Sequence, residues 1–381
     1  MSNPFTLYGM QASLYTGKVR AYMRRNHIPV IERGAGHPEY TTNILPELGR
    51  FIIPAIVTPN GDIVQDGTDI LDYFENEGLG REPLYPNDPV MKAVTYLLEL
   101  FGNEGLLRPA MHYRWNFDDE NLDFIKVSFS DVFPAHFDAA GRAAMFDHAS
   151  GRMRKAAQAF GVFPENYALI ETSYTEFLSL LNTHLSENYF LLGNAPTIAD
   201  YGLFNPLYAH LARDPKPAHL MKTTAPYIWN WVERMNRPEF LEEHTIDNPP
   251  QKMFDGNGLP ETLLALMNYI SQEYLPEILA HIDFANNSLT KQEGALASTE
   301  KPMDRVIGFA EFQWRGQDLK TAVMLYRFYL LQRLQDHFEA SNANDQSSIS
   351  KLFRSTNLEG LLMSRTNKRV IRENHLEAWA I

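Results

Sequence analysis

Phe5-Thr6-Leu7-Tyr8-Gly9-Met10-Gln11-Ala12-Ser13-Leu14-Tyr15-Thr16-Gly17-Lys18-Val19-Arg20-Ala21-Tyr22-Met23-Arg24-Arg25 is the stretch on which the reading of this chain turns. A short apolar strand is expected over 5–9 and a helix over 17–25. Ser13 then lies where the carboxyl end of a strand meets the first turn of a helix. The amides at a helix start are unsatisfied, and the helix dipole favours negative charge there. A hydroxyl among such amides can serve as a helix cap or help to hold an anion such as a thiolate.

Downstream, Ile28-Pro29-Val30-Ile31-Glu32 reads as a second strand, which closes a strand–helix–strand unit. Ile52-Ile53-Pro54-Ala55-Ile56-Val57-Thr58 reads as a strand opened by proline, and Asp62–Gln65 as its return after the turn at Pro59-Asn60-Gly61-Asp62. Asn-Gly is the strongest short hairpin signal. Asp66-Gly67-Thr68-Asp69 then opens a helix with Ile70, Leu71 and Phe74 at apolar spacing.

This order resembles the thioredoxin-like amino-terminal domain of glutathione transferases. Ser13 with Lys18-Val19-Arg20, Ile53-Pro54, and Gln65 to Ile70 carry the resemblance. It implies a cis Ile53-Pro54 bond and a backbone at Ile53 that pairs with the cysteinyl moiety of glutathione. It also implies that Asp66 and Gly67 grip the γ-glutamyl end, with Thr68 as a further hydroxyl. Two departures stand out. Gly67 lacks the hydroxyl usual at its position, and Leu14 replaces the usual proline. By the same resemblance Ser13 donates to the thiol of glutathione, with Tyr15 and Tyr8 as rival donors. A free thiol has a pKa of about 8.5, so only roughly 3% is ionised at pH 7. A hydroxyl and helix-start amides can supply the preference for the anion.

The chain has 381 residues, 44% of them hydrophobic, which suggests two or three domains. Cysteine is absent, so disulfides and cysteine nucleophiles are excluded and any reacting thiol must come with the ligand. Net charge is −13, which disfavours nucleic acid as a partner. The last 81 residues nevertheless carry twelve basic and nine acidic side chains. No run of eighteen apolar residues suggests a membrane span. No signal pattern opens the chain, so a cytoplasmic location is expected. No metal-ligand, dinucleotide or phosphate-loop motif is present, and no metal is expected.

Beyond the linker Leu84–Pro89, a long helix is expected from Val90 to about Trp115. By the resemblance, the later half of this helix lines the second-substrate cleft, with Glu104, Arg108 and His112 as the polar candidates, and Arg114 beside them. Residues 116–165 read as short helices and loops. A helix returns over 166–185. Leu191-Leu192-Gly193 and Pro196-Thr197-Ile198-Ala199-Asp200 follow, where Thr197 and Asp200 form a capping-box pattern. This second motif resembles the signature of the all-helical carboxy-terminal domain of the same family, where it is structural.

The expected architecture is therefore an α/β thioredoxin-like domain (1–82), an all-α glutathione-transferase-type domain (88–245) and extra carboxy-terminal helices (246–381). In the extension, after a loop at Asp247–Pro250, helices are expected over 260–281 and 318–338. Polar mobile stretches are expected at 285–303 and 342–350, and a last helix at 358–372 with Arg365, Lys368, Arg369 and Arg372 on one face. Docking of this extension on the body, capping of the cleft and a partner surface are all open. The resemblance implies an enzyme that activates glutathione, as co-substrate, for attack on an apolar electrophile, working as a homodimer. The alternatives are a catalytically silent binding or interaction protein of the same fold, and a different enzyme on the same scaffold, such as a glutathione-dependent isomerase or ether-cleaving enzyme.

Overall fold

The computed structural model describes residues 4–380 other than 131, 135, 238–249, 251, 257 and 292–304. Strand β1 (Phe5–Gly9) leads through the Ser13 turn into α1 (Thr16–Arg25), β2 (Val30–Gly34) and the short α2 (Leu45–Leu48). A hairpin of β3 (Ala55–Val57) and β4 (Ile63–Gln65) and helix α3 (Gly67–Asn76) complete the first domain. The sheet order is β2-β1-β3-β4. β1 runs parallel to β2 and antiparallel to β3. Side chains alternate across β1 with period two. Leu7 packs with Val19, Ile70 and Phe74 of α1 and α3, whereas Tyr8 packs with Tyr40, Ile44 and Leu48 on the other face. The expected strand–helix–strand and hairpin are thus present, with β2 two residues later than its apolar run suggested. The Ile53-Pro54 bond is cis.

The helical domain comprises α4 (Pro89–Leu100), α5 (Leu107–Trp115), α6 (Asp118–Ser130), α7 (Ala139–Ala159), α8 (Tyr167–Glu187), α9 (Ile198–Pro206), α10 (Pro215–Thr224) and α11 (Pro226–Asn236). The single helix expected over 90–115 is interrupted by a π-helical turn at Phe101–Gly105. A side chain at Gly102 would collide with the backbone of Gly202 and Leu203 in α9, so the two elements cross in close contact there. Residues 116–165, expected as short pieces, hold the 21-residue α7. Thr197 and Asp200 form the expected capping box at α9. Asp200 is fully buried and accepts from Leu191 N (2.9 Å), Thr197 N (2.9 Å) and Trp231 Nε1 (3.2 Å). Its role here is structural.

The extension departs most from expectation. It contains α12 (Glu261–Glu273), α13 (Leu275–Lys291), β5 (Val306–Trp314), β6 (Gln317–Met324), α14 (Leu325–Ala340), α15 (Ala343–Ser355), α16 (Glu359–Met363), β7 (Val370–Glu373) and β8 (Leu376–Trp379). The helix expected from 318 is a strand up to Met324, and it pairs with β5 in an antiparallel hairpin. Residues 342–350, expected as a mobile stretch, open α15 with Asn342 as its cap. The basic residues expected on a last helix sit on a loop and on β7 instead. Some of the expected 285–303 loop is helical, up to Lys291, and its remainder lies outside the described residues, as do 247–249. Docking on the body is what the extension does. α14 and α15 pack on α4, and the β5–β6 hairpin packs on α13 and α7.

Candidate functional site

The turn before α1 places Ser13 as the sequence suggests. Its hydroxyl accepts from Tyr15 N at 3.3 Å, and its own amide donates to Met10 O at 3.2 Å. The amide it accepts from precedes α1, and no side chain caps that helix. The hydroxyl proton is therefore left to donate elsewhere, and Ser13 is half-buried rather than sealed.

Tyr15 turns away from this hydroxyl. Its phenol donates to Glu104 Oε1 at 3.3 Å, and its ring meets Tyr326 of α14 edge-on at 6.4 Å between centroids. Burial and then Glu104 push its pKa well above the ordinary phenol value. The phenol expected as a rival thiolate donor is thus bonded to a carboxylate and packed against α14. Tyr8, the other rival, is fully buried against Tyr40, with ring centroids 5.6 Å apart.

Asp66 and Thr68, expected at the γ-glutamyl end of glutathione, bond within the protein. Pro54 O accepts from Asp66 N at 3.3 Å, which ties the cis-proline segment to the start of α3. Asp66 caps α3 by accepting from Thr68 N at 2.9 Å. The same carboxylate accepts from Tyr326 OH at 3.2 Å and lies 3.4 Å from Arg372 Nη2. Two more rungs follow along α3. Tyr329 OH donates to Asp69 Oδ1 at 2.7 Å, and Arg333 donates to Asp72. Positions 66, 69 and 72 thus meet positions 326, 329 and 333, so that nearly two turns at the start of α3 lie along nearly two turns of α14. Arg372 of β7 adds a bond to Asp69 Oδ2 at 3.0 Å. Burial, and secondly Asp66, raise the Asp69 carboxyl to about 6.

Thr68 is fully buried; it accepts from Lys18 Nζ at 2.7 Å and donates to Glu99 Oε1 at 2.7 Å. Its hydroxyl is committed inside the protein and does not stand in for the one missing at Gly67. A side-chain carbon at Gly67 would lie 3.0 Å from Lys18 Cε and 3.2 Å from Tyr15 O, which accounts for glycine there.

The cleft candidates are interior as well. Glu104, Arg108 and His112 are 3%, 3% and 1% exposed. Glu104 Oε2 accepts from Arg327 Nε at 3.1 Å. Arg108 donates to Glu273 at 3.2 Å and to Glu277 at 2.6 Å, with its guanidinium stacked 4.6 Å from the Trp314 ring centre. Arg327 Nη1 donates to Glu277 at 2.6 Å and to His281 Nδ1 at 3.1 Å. Burial raises Glu104 to about 7 even against Arg327. Arg327 and Arg108 overcome burial at Glu277 and hold it at about 2. His112 belongs elsewhere: it pairs with Glu171 at 3.0 Å and accepts from Asn116 at 2.8 Å. Arg114 holds the body together through Asp214, Ala12 O and Ala209 O. The wall assigned to a second substrate is therefore covered by α12, α13, the β5–β6 hairpin and α14.

Arg327, Tyr326, Arg372, Glu273 and Glu277, which bond to the expected site residues, do not stand out in the sequence. The one signal is periodicity: Tyr326, Tyr329 and Arg333, spaced three and four apart, and Asp66, Asp69 and Asp72, spaced three and three apart, each suit one helix face. Of the residues expected to meet glutathione, the structure brings Ile53, Pro54 and Asp66 close to one another through the bonds described. No hydrogen bond involves the Ile53 backbone among the described residues.

Comparison with known proteins follows the same division. Residues 7–81 match the family model of the glutathione S-transferase N-terminal domain, and residues 164–234 that of the C-terminal domain. No curated protein matches the sequence. Among solved structures, glutathione transferase GSTFuA3 from Phanerochaete chrysosporium is similar at 14% identity, over 64% of this chain and 100% of that one, with a TM-score of 0.44. The beta-etherase LigF from Sphingobium sp. strain SYK-6 is similar at 15% identity, over 62% and 95%, with a TM-score of 0.42. A glutathione S-transferase from Methylobacterium radiotolerans, in complex with glutathione sulfonate, is similar at 16% identity, over 66% and 100%, with a TM-score of 0.35. The amino- and carboxy-terminal domain models of the glutathione S-transferase family are thus matched in order, on a thioredoxin-like α/β domain followed by a helical one.

Proposed function

We propose that this chain is a binding protein on the glutathione-transferase fold, with its thiol-substrate sites filled by its own extension, and not a freely conjugating enzyme. The observation that carries the reading is at Asp66. The carboxylate that would take the γ-glutamyl end already accepts from Tyr326 and faces Arg372. A ligand ammonium would have to displace a guanidinium and a phenol that are both anchored by neighbouring rungs. Binding energy used for that displacement is lost to affinity. The filled second cleft supports the same reading, since Arg327 bonds Glu104 where an electrophile would need space.

The conjugating reading retains one favourable feature, the Ser13 hydroxyl with its proton unassigned. Calorimetry of glutathione into the full chain, wild type and Ser13→Ala, separates the two. No saturable heat at several millimolar glutathione is expected. Saturable binding, with the bound thiol at a pKa of about 6–7 in the wild type and higher in Ser13→Ala, would restore the enzyme. The homodimer implied by the family would have to use a face other than the one that α14 and α15 cover on α4. Light scattering against the 43.6 kDa chain mass tests whether such a face exists.

A further inference from the structure

We propose that the β7–β8 hairpin is a strap that closes over the start of α3 and opens as a unit, so that Asp66 is blocked reversibly and stays a binding group. This rests on the reading above, in which the extension occupies Asp66, and adds which piece of the extension has to move.

The hairpin is two strands of four residues, joined through Asn374 and His375. Such a hairpin is marginal on its own in water, so what it touches sets its position. Its open end is anchored on α14. Gln332 accepts from Val370 N at 2.7 Å and donates to Val370 O at 2.9 Å, Val370 is buried, and the Trp379 ring stacks on Phe328 with centroids 6.0 Å apart. The turn end lies instead on the first domain, through polar bonds. Arg372 donates to Asp69 Oδ2 at 3.0 Å, and Glu377 accepts from Arg50. Gln65 Nε2 donates to His375 O at 2.9 Å in the amide orientation that satisfies both of its ends. Leu376 lies beside Gly49.

The hold on Asp66 itself is looser than its neighbours. Asp66 Oδ1 accepts from Thr68 N and from Tyr326 OH, both of which belong to helices. Oδ2 faces Arg372 Nη2 at 3.4 Å. This ion pair makes no hydrogen bond, since Nη2 is buried without an acceptor among the described residues. Swinging the strap about its α14 end withdraws Arg372 from Oδ2 and leaves the cap of α3 and the Tyr326 bond in place. The oxygen thus freed suits a primary ammonium, which is more compact than a guanidinium and can rotate its three donors. The ligand class is a small molecule that carries an ammonium group, and the γ-glutamyl end of glutathione is one such group. Its apparent affinity is the intrinsic one reduced by the fraction of strap that is open.

The test is hydrogen exchange and glutathione calorimetry on the full chain, as wild type, Arg372→Gln and Glu377→Gln. Each substitution removes a hold of the turn end and leaves Gln332, Val370 and Trp379 untouched, and circular dichroism checks the fold. Amides of 370–379 are expected to exchange at least about tenfold faster in the variants, with those of α14 unchanged, because a hydrogen bond to a charged group is worth a decade or more. Glutathione is expected to bind the variants at least about tenfold more tightly than the wild type. Faster exchange with no gain in glutathione binding overturns the strap as the block on Asp66 and leaves the reading above standing. Unchanged exchange in both variants overturns the strap as well. Saturable glutathione binding by the wild type overturns the reading above, and the strap then stands or falls on the same tenfold difference.

Discussion

Arg327→Met tests the buried ion network that lies where the family resemblance implies a second-substrate cleft. The guanidinium is 1% exposed and gives bonds to Glu104, Glu277 and His281. Methionine fills much of the space and supplies no charge. Removing one member of a buried ion pair costs about 3–5 kcal/mol, mainly because the other is left uncompensated. Glu277 keeps Arg108 at 2.6 Å, so the lower end, about 3 kcal/mol, is expected at pH 8. Glu104 keeps only the Tyr15 phenol and has an escape, which is to protonate. Its carboxyl stands at about 7 with Arg327 present and must rise further without it. The wild type thus gains from ionising Glu104 between pH 6 and pH 8, and the variant does not. Integrating proton linkage over that window makes the variant's deficit about 1.4 kcal/mol larger at pH 8 than at pH 6. Urea unfolding at both pH values measures this, provided that fluorescence and circular dichroism transitions coincide. Adding Glu104→Gln should reduce the pH 8 deficit. A cost below about 1 kcal/mol at pH 8, or one that does not change between pH 6 and pH 8, would refute the network as the element that closes the cleft.

Glu104→Gln alone should flatten the pH profile of stability. The folded-state pKa is raised from 4.5 to about 7, so the stability contributed by the neutral form is fully present below 4.5 and is lost as pH rises to 7. The full loss is roughly 3.4 kcal/mol, of which urea melts at pH 5 and pH 7.5 should show about 2.4 kcal/mol, in the wild type only. Asp200→Ala leaves three buried donors without an acceptor and should cost at least about 3 kcal/mol, read by the same melts. Gly67→Ser, which restores the hydroxyl usual in the family, should cost about 1–3 kcal/mol in thermal or urea unfolding through crowding of Lys18 and Tyr15. It should bring no glutathione binding by calorimetry, because Asp66 stays occupied.

Local order was legible in the sequence wherever a short-range rule governs it. The strand into Ser13, the Asn60-Gly61 turn and the Thr197–Asp200 box each depend on a few adjacent residues, whereas the cis bond at Ile53-Pro54 is implied by the family resemblance. They therefore survive as written. Periodicity misled where two structures share one pattern. Residues 317–324 hold apolar side chains at spacings that suit a helix or a strand, and pairing with β5 decided for the strand. The run from 365 to 372 was similarly ambiguous until β8 paired with β7.

The chemistry at the candidate site depended on contacts between residues far apart in the chain. Asp66 and Tyr326 lie 260 positions apart, and Glu104 and Arg327 lie 223 apart. Nothing local distinguishes a carboxylate that awaits a ligand from one that will meet a tyrosine of the same chain. The sequence by itself determined the glutathione-transferase framework, because helix starts, turns and a capping box are written in neighbouring side chains. Only the tertiary structure decided that Asp66 meets Tyr326 and that Glu104 meets Arg327, because a buried charge takes its meaning from the partner that folding brings to it.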